Sequence, residues 1–210
     1  MLIKKLHSFC LVLLLVNTCL LAQQPRLVLP IGHTNFVLEA HFSPDGKKVV
    51  TASMDKTAKI WDVISQVLLV DLKGHTDNVL LARFSPDGKK IVTASGDNTA
   101  KIWDASSGKL LVVLYGHTGS VTSVQFSPDG TKIITASEDK TVKIWNTGSG
   151  ELLGNLVGHS GWIRSVQFSP DGKKIVSASG LRRSGTFKFW MMAEIPSNVV
   201  LLDDFIDEGI

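Results

Sequence analysis

An all-β domain, made of one unit used four times, is what the sequence predicts. Three observations carry this expectation. Gly-His pairs open at Gly32, Gly74, Gly116 and Gly158, each 42 residues after the one before. Between them, short alternating segments meet Ser-Pro-Asp-Gly tetrapeptides at Ser43, Ser85, Ser127 and Ser169. Beyond the first 22 residues no apolar spacing fits a helix.

The second copy is the clearest and sets the order of elements. Residues 78–84 alternate as a first strand. Ser85-Pro86-Asp87-Gly88 is a tight turn, because proline presets φ and Asp-Gly supports the reversal. Residues 89–95 form the second strand, with Ile91, Thr93 and Ser95 on one face. A turn at Gly96-Asp97-Asn98 leads to a third strand over 99–104, and a loop over 105–108 to a fourth over 110–114. A similar apolar segment precedes every Gly-His, at 27–31, 68–72, 110–114 and 152–157. Pro30 suits the first of these only to a sheet edge, since it has no N–H for a ladder.

Composition bounds the possibilities. The chain has 210 residues, 44% hydrophobic and 20% charged, enough for a sizeable core and too apolar for a disordered polyampholyte. Residues 1–22 carry Lys4 and Lys5, then an apolar run from Phe9 to Val16, then Ala22. That is the layout of a secretory signal peptide; an uncleaved anchor, or lipidation at Cys19, is the rival reading. The apolar run is short for a membrane span, so no stable span is expected once the leader is removed. Without Lys4 and Lys5 the chain holds 20 basic and 19 acidic residues, which gives no electrostatic case for nucleic acid. Cys10 and Cys19, the two cysteines, both lie in the leader, so a mature domain has no disulfide and no thiol chemistry. The domain is expected over 23–202, with an acidic, solvated tail over 203–210, and an exported location, periplasmic or extracellular in a bacterium.

A polar set recurs with the repeat. His33, Asp55 and Trp61 stand in copy one, His75, Asp97 and Trp103 in copy two, and His117, Asp139 and Trp145 in copy three. His-to-Trp is 28 residues and Asp-to-Trp is 6 in each. Asp62 and Asp104 follow the first two tryptophans, and Asn146 the third. This pattern resembles the WD-repeat β-propeller family. The resemblance spans about residues 27–190 and implies a propeller of WD-type blades, four antiparallel strands each. It also implies a structural network, with the indole N–H on a strand hydroxyl, the hydroxyl on the histidine and the histidine on the turn aspartate. The hydroxyl is supplied by Thr51, Thr93 and Thr135 or by Ser53, Ser95 and Ser137, columns that share a strand face, the threonines being the preferred set. His, Asp and Ser together also suggest a hydrolytic triad, but a set repeated three times around one domain argues for scaffolding. No metal-ligand spacing, phosphate loop or cofactor motif is present. His41 stands alone on a strand, and Lys47-Lys48, Lys89-Lys90 and Lys173-Lys174 read as a solvated rim.

Three columns vary in chemical type between copies. They read Phe36, Asn78, Ser120 and Trp162; Leu38, Leu80, Thr122 and Arg164; and Met54, Gly96 and Glu138. By the resemblance they fall near the rim where partners dock. Aromatic and arginine side chains dominate binding hot spots, which makes Phe36, Trp162 and Arg164 the leading candidates for a partner-facing patch. The alternative is drift at exposed positions, or local packing for the aromatics.

The fourth copy departs from the pattern. His159, Ser177 and Trp190 keep their places, but residues 180–185 replace the three-residue turn and its aspartate, and Met191 follows the tryptophan. Residues 27–30 and 199–202 compete to supply its last strand, the front segment being the usual choice in the family. Four blades are few for a ring. The expected outcomes are a small closed ring, an arc that dimerises into a larger ring, or a truncated product of a longer gene, the odd C-terminus favouring the last two. The expected function is a non-enzymatic scaffold for protein or peptide partners. A propeller enzyme, a glycan- or cell-wall-binding propeller and a fragment without independent function are the competing classes.

Overall fold

The computed structural model describes residues 32–181, 184–192 and 199–206. The expected leader and the strand at 27–31 lie outside the described residues. Sixteen strands follow in order among the described residues. The first four are β1 (Val37–Phe42), β2 (Lys48–Ser53), β3 (Thr57–Asp62) and β4 (Leu68–Lys73). The next are β5 (Val79–Phe84), β6 (Lys90–Ser95), β7 (Ala100–Asp104) and β8 (Leu110–Leu114). Then come β9 (Val121–Phe126), β10 (Lys132–Ser137), β11 (Thr141–Asn146) and β12 (Leu152–Val157). The last are β13 (Ile163–Phe168), β14 (Lys174–Leu181), β15 (Ser184–Met192) and β16 (Val199–Ile206). Each consecutive set of four makes one antiparallel sheet, or blade.

Local chemistry explains the hairpins. At the first turn of blade two, the Ser85 hydroxyl donates to Asp87 and accepts from the Lys90 N–H, while Gly88 N–H donates to the Ser85 carbonyl. Gly88 sits at φ 71, a left-handed conformation that glycine adopts without steric cost. Every blade also carries one register shift between its first two strands and one between its last two. Such bulges add local twist.

The blades stack in chain order. Inner strands β1, β5, β9 and β13 are successive neighbours. Between blades one and two, Val50, Ala52, Ala58, Ile60 and Leu72 meet Val79, Ala82, Phe84, Ile91 and Trp103. The same columns build the cores between blades two and three and between three and four. Among the described residues the ring is not closed.

Three details of the fourth blade correct the sequence reading. Its fourth strand comes from the back of the chain, as β16. That strand continues to Ile206, so the backbone of residues 203–206 belongs to the sheet, and residues 207–210 of the expected tail lie outside the described residues. The register sets Asp204 opposite Lys188 and Asp203 opposite Phe189. The ladder also continues where the sequence reading places a replacement turn: Gly180 pairs with Gly185 and Leu181 with Ser184.

Candidate functional site

In each of the first three blades, one chain of hydrogen bonds ties the third strand to the loop before the first. In blade two the Trp103 indole N–H donates to Thr93 Oγ1 at 2.9 Å, and Thr93 Oγ1 lies 2.7 Å from His75 Nε2. His75 Nδ1 lies 2.8 Å from Asp97. Blade one repeats this through Trp61, Thr51, His33 and Asp55, and blade three through Trp145, Thr135, His117 and Asp139. A single proton arrangement satisfies every member. The indole donates to the threonine, the threonine to Nε2, and Nδ1–H to the carboxylate.

The choice between the two hydroxyl columns is thereby decided. Threonine carries the network. The serines do another job: Ser95 Oγ donates to the Asp77 carbonyl and accepts from the Asp97 N–H. The aspartate is fully used. Asp97 accepts from His75, the Thr76 N–H, the Thr99 N–H and the Thr99 hydroxyl. The Gly of each Gly-His pair closes over the indole. A Cβ on Gly74, whose φ is 148, would stand 3.2 Å from the Trp103 ring. In blade four Trp190 donates to Ser177 at 3.0 Å and His159 lies 2.7 Å from the same hydroxyl.

Threonine, histidine and aspartate in this order have the connectivity of a hydrolytic triad. The hydroxyl that would attack is fully buried in Thr93 and Thr135, and one of its lone pairs is taken by the indole. No substrate reaches such an oxygen. Among the described residues no group of three or more metal-binding side chains occurs, and no helix is long and apolar enough to cross a membrane.

Burial pushes the His75 and His117 imidazoles below the ordinary histidine value, against the pull of Asp97 and Asp139. For Asp55, Asp97 and Asp139, burial works to raise the pKa. The Thr57, Thr99 and Thr141 hydroxyls, the imidazoles and the backbone N–H donors outweigh it and hold all three below the usual carboxylate range. Both sets act in the same sense. Above about pH 6.5 their stabilisation is complete. Below that, the unfolded chain takes up protons at His75 and His117 that the folded chain resists, so stability falls with pH. Below about pH 4 a second loss follows, as unfolded carboxylates protonate first. Thermal unfolding followed across this range should show both steps; a midpoint that stays constant down to about pH 4 would contradict the first.

The sequence did not announce the buried lysines. Lys59, Lys101, Lys143 and Lys188 are buried in the third strands. Lys59 pairs with Asp71 at 2.7 Å, Lys101 donates to the Gly74 carbonyl at 2.7 Å, and Lys143 donates to Asn155 at 3.0 Å. The available signal was one lysine in the same column of all four copies. The aspartate after the tryptophan has a plain local task. Asp104 accepts from the Ser106 and Ser107 N–H groups, and Asn146 serves equally with Gly148 and Ser149. His41 is half-buried rather than a free ligand, and lies with Arg83, Gln125, Arg164 and Gln167 along an inner cleft of about 500 Å³.

The variable columns meet pairwise. Met54 N–H donates to the Phe36 carbonyl, Gly96 N–H to Asn78 and Glu138 N–H to Ser120. Phe36 is 75% exposed and Trp162 42%, with the Arg164 guanidinium 5.4 Å from the Trp162 ring centre. Leu38 is exposed, whereas Met54, Asn78 and Glu138 are half-buried. Phe36 belongs to blade one and the Trp162–Arg164 pair to blade four, at opposite ends of the open arc, so the single chain does not gather all three into one patch.

Comparison with curated proteins gives no match. The family described as "WD domain, G-beta repeat" matches residues 23–62, 66–104, 108–146 and 150–191; each of the last three matches takes in the fourth strand of one blade and the first three strands of the next. The four sheets of four antiparallel strands and the repeated Trp–hydroxyl–His chain agree with that assignment, and the chain belongs to the WD-repeat family.

Proposed function

We propose that this chain is a non-catalytic scaffold, exported from the cell that makes it, which docks protein or peptide partners on the rim of its blades. WD-repeat domains in general mediate protein–protein interaction. The observation that carries the reading here is the pairing of variable columns across each rim. The frame beneath is fixed by near-identical networks, while Phe36–Met54, Asn78–Gly96 and Ser120–Glu138 present different chemistry at equivalent positions. A scaffold that varies only its rim is suited to recognition rather than to one repeated reaction. Export rests on the layout of residues 1–22, and the near balance of acidic and basic residues disfavours nucleic acid.

Peptides selected for binding from a displayed random library supply the probe. A Phe36→Ala, Trp162→Ala, Arg164→Ala triple variant should bind them at least about tenfold more weakly, as expected for loss of aromatic and arginine anchors. Its thermal unfolding should match the parent's, since all three side chains are exposed. Unchanged affinity would remove the rim from the account.

A further inference from the structure

Blade stacks on blade three times within the chain, through the same columns each time. Blade one ends the arc with part of its back face uncovered, at Phe42 and Val37, although Trp61 is only 9% exposed. Phe42 is 61% exposed, whereas Phe84, Phe126 and Phe168 in the same column are 5–8% exposed. Val37 is 44% exposed, whereas Val79, Val121 and Ile163 are fully buried. Blade four ends it with its forward face uncovered. Ala178 is exposed there, while Ala52, Ala94 and Ala136 in its column are fully buried in the cores between blades.

The polar groups at the two ends match as well. Within the chain, inner-strand side chains of one blade accept from backbone N–H groups of the next, 43 residues on. Glu39 accepts from Ala82, Ser123 from Val166, and Gln125 from Phe168. The corresponding acceptors on blade four are Ser165 and Gln167, both exposed. The corresponding donors on blade one are the N–H groups of Ala40 and Phe42, on the outer edge of β1. Acceptors stand at one end and donors at the other, with an apolar face beside each.

We propose that a second copy of this chain completes the ring, blade four of each copy docking on blade one of the other. Ser165 and Gln167 of one copy accept from Ala40 and Phe42 of the second, and Phe42 enters the core formed with Val176 and Ala178. The contact is head-to-tail, and two such contacts close eight blades around a twofold axis. The arrangement also sets Phe36 of one copy and the Trp162–Arg164 pair of the other on neighbouring blades. The rim patch, scattered in one chain, is then assembled from two. The pairing itself does not depend on what docks on that rim.

Light scattering on the purified protein should give twice the chain mass. Phe42→Asp and Ala178→Arg, each at an exposed position away from the rim candidates, should each run at the mass of one chain with an unchanged far-ultraviolet spectrum. Mixed one to one, they should form a pair again, because one intact blade-four face and one intact blade-one face remain between them. A concentration-independent single chain for the parent protein would overturn the proposal. So would a dimer that survives both substitutions, or one broken by Phe42→Asp and not by Ala178→Arg, which marks a symmetric contact between two first blades. Failure of the rim variant to lose peptide binding leaves these masses unchanged, so the two readings fail separately.

Discussion

Trp103→Ala should lower the unfolding free energy by about 3–5 kcal/mol, among the largest losses any single truncation in the chain can produce. The indole is fully buried between blades one and two, among Ile60, Leu72, Val79, Phe84 and Ile91. Gly74 is already pressed against the ring, and its backbone conformation leaves no larger residue to fill the gap from that side. The cavity therefore stays open, and the full cavity cost adds to the lost burial. Two interactions fail together, because Thr93 also loses its indole donor. Trp103→Phe keeps most of the packing and separates the two effects. Chemical denaturation measures the totals. Amide hydrogen exchange adds the location: in a blade array each unit leans chiefly on its neighbours, so protection should fall first in β1–β8. A loss under about 1 kcal/mol would mean the interface repacks, contrary to the density of the core.

Much of this architecture was legible because the sequence repeats itself. Four copies at a fixed period located the turns, and each Ser-Pro-Asp-Gly forms the hairpin its chemistry implies. Strand starts shifted by one residue, as at Val79, Lys90 and Ala100, where hydrogen bonding rather than alternation sets the boundary. The fourth blade was misread where the repeat signal stops. Gly180 and Gly185 look like loop residues, yet both backbones remain in the ladder. Asp203 and Asp204 look like a solvated end, and only the register opposite Phe189 and Lys188 shows their place in a sheet. The buried lysines were hidden by their charge. A lysine in a strand reads as solvent-facing, but the partners that keep it inside stand 12 residues on for Lys59 and Lys143, and in the Gly-His loop for Lys101. Choosing between the threonine and serine columns needed distances, since both share a strand face.

Thr93→Val tests that choice and should cost about 2–5 kcal/mol, although the two side chains have nearly the same shape. Thr93 Oγ1 is the hinge of the network, accepting from Trp103 and donating to His75. Valine leaves an indole donor and an imidazole nitrogen buried without partners, and each orphaned group costs about 1–3 kcal/mol. Transfer of the hydroxyl itself works the other way, because valine is the more apolar side chain, which keeps the total below the sum of two full penalties. Thr93→Ser should behave differently. Ser177 makes both bonds in blade four with no methyl group, so the same substitution in blade two loses only the burial of one methyl, about 1 kcal/mol. The ordering is therefore Val far worse than Ser, the reverse of what volume alone dictates. Ser95→Ala supplies the control from the neighbouring column: it removes one loop contact and leaves the Trp–Thr–His–Asp chain whole, at a cost nearer 1 kcal/mol. Denaturant midpoints for the three variants decide it. If Ser95→Ala proved as costly as Thr93→Val, the serine column would hold the blade and the buried Trp–Thr–His chain would be incidental to stability.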